Sequence, residues 1–134
     1  MRNARIIAVI LMLISLTLSA LAWAGPGFFQ FTLFDIIPHS LSGAAFALGV
    51  LGFIPTENGD GHTSRQEWIA IAWVFLIPGI AWEILEIITD QAGYPLWTSV
   101  YYVDTVKDLD MGIFGAIVAI FAYRYFINRK RRVG

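Results

Sequence analysis

The sequence lacks cysteine and is poor in charge. None of its 134 residues is cysteine, which excludes disulfides, thiolate metal sites and thiol catalysis. Charged residues make up only 14%, with 9 Lys and Arg against 10 Asp and Glu, so the chain has no basic excess with which to bind nucleic acid. The composition therefore argues against three classes of protein: a soluble protein, a disulfide scaffold and a nucleic-acid-binding protein.

The sequence is instead rich in long apolar stretches. Hydrophobic residues make up 57% of the chain and the mean hydropathy is +0.67. A helix needs about 20 mostly apolar residues to cross a bilayer. Four stretches approach that length, at about residues 6–24, 36–54, 68–88 and 108–127. We therefore predict an all-α integral membrane protein, a four-helix transmembrane bundle that forms a single domain over residues 1–134.

The basic residues predict the orientation of this bundle. Eight of the nine occupy segments that an even number of crossings places on one side: Arg2, Arg5, Arg65, Arg124, Arg129, Lys130, Arg131 and Arg132. Lys and Arg near helix ends favour the cytoplasm. The pattern predicts a multi-pass protein of the cell inner (plasma) membrane with both termini cytoplasmic. The first stretch, ending in Ala22-Trp23-Ala24, is also typical of a secretory signal, and cleavage after residue 24 stays open.

Most acidic residues lie away from the predicted cytoplasmic segments. The seven are Asp35, Glu83, Glu86, Asp90, Asp104, Asp108 and Asp110, and the only basic residue among them is Lys107. Ionisable groups at membrane depth cost several kcal/mol unless they are paired, hydrated or bound to a cation, so they mark candidate functional sites. Asp35 has a simpler interpretation as the N-cap of the second helix.

Five polar residues are predicted to meet in the outer leaflet. The second helix begins there, the third ends there and the fourth begins there, so their polar residues share one depth. The candidate metal ligands are His39, Glu83, Glu86, Asp104 and Asp108. Oxygen ligands suit Mg²⁺, Ca²⁺ or Mn²⁺, and an added imidazole shifts the preference towards Mn²⁺, Fe²⁺ or Zn²⁺. Without a metal, crowded carboxylates would share protons and form a proton or cation path.

Three short motifs also carry a family resemblance. They are Pro38-His39 with Gly43, then Glu83-Ile84-Leu85-Glu86, then Asp104-Thr105-Val106-Lys107-Asp108 followed by Met111, Gly115 and Ala116. In this order they resemble the YjdF-type family of small uncharacterised inner-membrane proteins and, more distantly, the VanZ-like proteins. The resemblance implies a role in the cell envelope and supports the choice of residues, but it names no reaction. Lys107 departs from the pattern, which usually has an apolar or aromatic residue there.

Three functions follow as hypotheses. The first is an outer-leaflet cavity that binds a divalent cation and engages an envelope lipid or lipid-linked head group. The second is a non-catalytic accessory subunit of a larger membrane complex, or a homo-oligomer. The third is a proton or cation transporter. Membrane lipids are the expected partners in each case, and enzymatic activity is left open because no motif identifies a reaction.

Overall fold

The described residues are helical. The computed structural model describes residues 2–24, 33–54, 62–89 and 95–133, and no strand occurs among them. The helices are α1 (Arg2–Ala24), α2 (Leu33–Phe53), α3 (Ser64–Val74), α4 (Ile80–Thr89) and α5 (Ser99–Val133). One π-helical segment, Phe75–Gly79, joins α3 to α4, so the two form one continuous rod. The all-helical prediction is confirmed for this part of the chain, and residues 25–32, 55–61 and 90–94, which lie between the predicted apolar stretches, are outside it.

Three of the helical rods suit a membrane. The segments Asn3–Leu21, Ile36–Phe53 and Ser64–Thr89 are long and apolar enough to cross a bilayer. The prediction of a membrane-embedded protein is therefore confirmed. A fourth crossing through α5 and the cytoplasmic placement of both termini stay predictions.

Helices α3 and α5 begin earlier than predicted because polar residues cap them. Thr63 and Gln66 form a capping box: the Thr63 backbone N–H donates to Gln66 Oε1 at 2.8 Å, and the Gln66 N–H donates to Thr63 Oγ1 at 3.3 Å. The Tyr101 N–H donates to Thr98 Oγ1 at 3.3 Å, so α5 starts at Ser99 rather than near residue 108. Helix α2 starts at Leu33, and Asp35 therefore lies inside its first turn rather than at its cap.

Hydrogen bonds between helices give their directions. Arg5 Nε donates to the Gly52 carbonyl at 2.7 Å, and Ser15 Oγ donates to the Pro38 carbonyl at 2.8 Å. Helix α1 is therefore antiparallel to α2. The α3–α4 rod is antiparallel to α5, because its start contacts the late part of α5 and its end contacts the early part. The beginnings of α2 and α5 consequently lie at the same end of the bundle as α4.

An ion pair closes the opposite end. The Arg124 guanidinium donates to both carboxylate oxygens of Glu67 and, at 3.3 Å, to Ser64 Oγ. Glu67 is 5% exposed, so this pairing offsets the cost of burying its charge. Beside it the His62 ring stacks on Tyr123, with ring centroids 5.7 Å apart. Burial lowers the pKa of His62, although the negative charge of Glu67 opposes that shift.

Glycines allow α2 and α5 to touch backbone to backbone. A Cβ atom added at Gly43 would lie 1.9 Å from the Gly112 carbonyl oxygen, and one added at Gly115 would lie 1.9 Å from the Ser40 carbonyl oxygen. Neither helix can carry a side chain at these points without moving. From this contact towards the end of the bundle that holds Glu67, the core consists of Ala47, Leu51, Ala70, Val74, Ala116 and Ile120.

We predict that Gly43→Ala destabilises the bundle by about 2 kcal/mol or more, because the added methyl forces α2 and α5 apart. Reversible unfolding in mixed micelles would measure this change. Gly49→Ala is the matched control, since its added Cβ would lie 4.0 Å from the Ala8 side chain, an ordinary contact. The control should be neutral or stabilising by up to about 1 kcal/mol. Equal effects of the two substitutions would contradict the proposed packing.

Candidate functional site

Three polar side chains from three helices converge at one end of the bundle. They are His39 on α2, Glu86 on α4 and Asp108 on α5, and each offers a ligand atom within 4.8 Å of the other two. His39 Nε2 lies 3.5 Å from Asp108 Oδ2. The side chains of His39 and Asp108 are only 12% and 5% exposed. The group is therefore formed by tertiary packing and is largely buried.

The glycine contact positions two of these residues. Gly43 follows His39 by one helical turn on α2, and Gly112 follows Asp108 by one turn on α5. Residues one turn apart share a helix face, so the faces that meet at the glycines also carry His39 and Asp108. The imidazole and the carboxylate are brought together because the two backbones approach so closely.

Trp82 holds the third residue. Its indole Nε1–H donates to Glu86 Oε1 at 2.7 Å, across one turn of α4. The edge of the same ring system meets the His39 ring, with centroids 5.8 Å apart and planes at 89°. Trp82 thus contacts both Glu86 and His39, and it orients the carboxylate that α4 contributes.

The other two predicted ligands have partners of their own. Thr105 Oγ1 donates to Glu83 Oε2 at 2.7 Å, which links α5 to α4. Lys107 Nζ donates to Asp104 Oδ1 at 2.6 Å and lies 3.5 Å from Asp108 Oδ1. Of the five predicted residues, the structure brings three into one group and leaves Glu83 and Asp104 beside it. A ligand role stays a prediction for all five.

A cavity of about 290 Å³ adjoins this group. It lies between α1, α2, the π-helical segment and α4. Its polar lining includes His39, Glu83 and Asp108, and most of the remaining wall is apolar. Pro78 and Gly79 of the π-helical segment also line the cavity. Such segments are often found at functional sites.

Sequence reasoning missed the supporting residues. Trp82 precedes Glu86 by one turn, which is the spacing of their hydrogen bond, whereas Thr105 donates to Glu83 on another helix and no sequence spacing indicates that contact. Helix α1 contributes two further polar residues that the sequence analysis does not predict: Ser15 and Ser19 are buried and line the cavity. Two serines one turn apart, on one face of a helix whose middle is mostly apolar, were the available signal.

Comparison with known families adds one finding. A family described as "Predicted membrane protein (DUF2238)" matches residues 2–129. The chain belongs to this family. The match spans α1 to α5 and contains all five predicted site residues, whereas the more specific YjdF-type and VanZ-like resemblance stays a prediction. No curated protein and no solved structure matches the chain.

We predict that Trp82→Phe lowers the free energy of unfolding by about 1.5–3 kcal/mol, the range for a hydrogen bond to a charged group. Phenylalanine keeps an aromatic ring beside His39 but removes the donor to Glu86. Unfolding in mixed micelles would measure the loss, with Trp73→Phe as the control on an exposed part of the same rod. In a double-mutant cycle Glu86→Gln should then have less effect. Additive losses would contradict the coupling.

Proposed function

We propose that this membrane protein binds a divalent cation through His39, Glu86 and Asp108, and that the ion engages the head group of an envelope lipid in the adjoining cavity. The observation that carries this proposal is the convergence of the three side chains from α2, α4 and α5 within 4.8 Å. Asp108 is buried and Glu86 is partly buried, and ionisable groups at membrane depth are costly unless they are paired, hydrated or bound to a cation, so a divalent ion would offset this cost.

The donor set favours a transition metal over Ca²⁺ or Mg²⁺. Two carboxylates and one imidazole are typical of Mn²⁺ or Zn²⁺ sites, whereas Ca²⁺ and Mg²⁺ prefer oxygen ligands alone. Two ligand atoms on opposite sides of one ion lie about 4–5 Å apart, because each metal–ligand distance is about 2.0–2.6 Å. One ion can therefore bind ligand atoms that lie within 4.8 Å of one another. A bound ion with an open position would polarise a phosphoryl oxygen or lower the pKa of a bound water.

Lys107 is the natural competitor for the ion. Its ammonium lies 3.5 Å from Asp108 Oδ1 and is hydrogen-bonded to Asp104. In the metal-free protein it offsets part of the local negative charge. When an ion binds Asp108, the two cations repel each other. Metal affinity is therefore set in part by a residue that is not itself a ligand.

The first test is the metal content of the detergent-purified full chain after dialysis against Mn²⁺ or Zn²⁺. We expect about one equivalent per chain, and Glu86→Gln or Asp108→Asn should weaken binding by at least about 100-fold, because loss of a supporting residue alone costs about 10–100-fold. Asp110→Asn is the matched control, an exposed acid on the same helix that should leave the metal content unchanged.

Two outcomes would count against the metal site. Metal-free wild-type protein would refute it outright, and equal loss in Asp110→Asn would show that binding is non-specific surface charge. Metal-free protein that purifies with other membrane proteins would instead favour the accessory-subunit hypothesis, in which the acids contact basic residues of a partner.

We also predict that Lys107→Met raises the affinity for Mn²⁺ by at least about tenfold, because it removes a positive charge beside Asp108. Competition with a fluorescent chelator would measure the dissociation constant. Arg65→Met removes an exposed positive charge from the opposite end of the bundle and should leave the affinity unchanged. Unchanged or weaker binding in Lys107→Met would argue against an ion at Asp108.

A further inference from the structure

The cavity is amphiphilic along the axis of the bundle. Its polar end holds His39, Glu83 and Asp108. Phe46, two helical turns beyond His39, and Val74 line its deeper part. At a rise of 1.5 Å per residue the distance from His39 to Phe46 along α2 is about 10 Å. A ligand that fits this cavity has a polar head and an apolar tail that points towards the middle of the bundle.

The mouth of the cavity lies between α1 and α4. Leu16 on α1 and Leu85 on α4 both line the cavity, yet they are 50% and 39% exposed. None of the described residues of α4 is buried. In a bilayer these exposed apolar side chains face hydrocarbon, so a hydrophobic chain can enter from the membrane without passing through water.

The volume limits the tail to one chain. A dry cavity of about 150 Å³ binds one benzene molecule. The present cavity, at about 290 Å³, has roughly twice that space. It accommodates part of a head group with the first few carbons of one chain, and any second chain of the lipid stays in the bilayer outside the mouth.

The local charge indicates what the head group carries. Around the site lie the carboxylates of Glu83, Glu86, Asp104 and Asp108, and Lys107 is the one basic residue among the described side chains there. Four carboxylates, one lysine and a divalent ion leave one negative charge, and the lipid phosphate adds another, so a positive group on the ligand offsets part of this excess. Glu83 lines the cavity outside the three-residue group. It is therefore placed to receive a positive group on the ligand.

We propose that the cavity binds the head group and one chain of a phospholipid whose head group carries an ammonium, with the phosphate on the ion and the ammonium on Glu83. This proposal rests on the proposed function, because the phosphate needs the ion. The ammonium donates to the Glu83 carboxylate, which already accepts a hydrogen bond from Thr105 on its other side. The chain passes Leu16 and lies against Phe46.

The test compares two probes on the full chain, loaded with Mn²⁺ in a non-ionic detergent. Lysophosphatidylethanolamine carries the ammonium and lysophosphatidic acid lacks it. Native mass spectrometry should show lysophosphatidylethanolamine bound at least about tenfold more tightly, since a charge-assisted hydrogen bond is at stake. Glu83→Gln keeps an acceptor for Thr105 and should abolish this preference.

A second pair of variants tests the mouth. Leu16→Trp fills the opening and should weaken binding of both probes at least about tenfold by steric exclusion. Leu13→Trp adds the same ring to an exposed position of α1 outside the cavity lining, and it should bind like the wild type. Equal binding in Leu16→Trp and Leu13→Trp would overturn the proposed site.

The metal content of the same samples separates the two proposals. If wild type holds the ion but prefers lysophosphatidic acid, or binds neither probe, the lipid assignment is wrong and the metal site stands. If wild type holds no ion, the proposed function fails and the lipid assignment fails with it. Leu16→Trp should keep its metal, since Leu16 is not a ligand, and loss of metal there would also overturn the assignment.

Discussion

The close approach of α2 and α5 is the constraint on which the rest of the structure depends. At Gly43 and Gly112 the two helices meet without side chains between them. Within lipid, helix association depends on packing and on polar contacts rather than on the hydrophobic effect, so small residues at a crossing have a large influence. This crossing fixes the separation of His39 from Asp108, and through them the place where Glu86 of α4 can join.

The acidic side chains at the two ends of the bundle have different partners. At one end Glu67 is matched by the forked guanidinium of Arg124, a geometry that satisfies both carboxylate oxygens. At the other end several carboxylates lie around one lysine: Trp82 donates to Glu86, Thr105 donates to Glu83 and Lys107 donates to Asp104. The first arrangement is balanced in charge and structural. The second retains negative charge, which is the physical reason for assigning function to that end.

Sequence alone predicted much of this arrangement but not its details. Apolar length predicted the helices, and chain direction predicted that residues near 39, 86 and 108 share a depth. The place of Glu83 was not predictable, because it depends on Thr105 from another helix, whereas the Lys107–Asp104 pair lies within α5 at a spacing of three residues that the sequence itself shows. The start of α5 was placed too late because hydropathy follows apolar content, whereas the helix begins at the Thr98 cap.

The π-helical segment changes which face of the α3–α4 rod packs against the other helices. An uninterrupted helix from Ser64 to Thr89 would keep one straight stripe of residues against the bundle. The segment Phe75–Gly79 contains Pro78, and a wider turn at that point rotates everything that follows about the helix axis. Ala70 and Val74 before it pack in the core, while Trp82, Glu83 and Glu86 after it reach the polar site. The cavity lies beside this change of register, so the irregularity that interrupts the helix also contributes to the space that a ligand can enter.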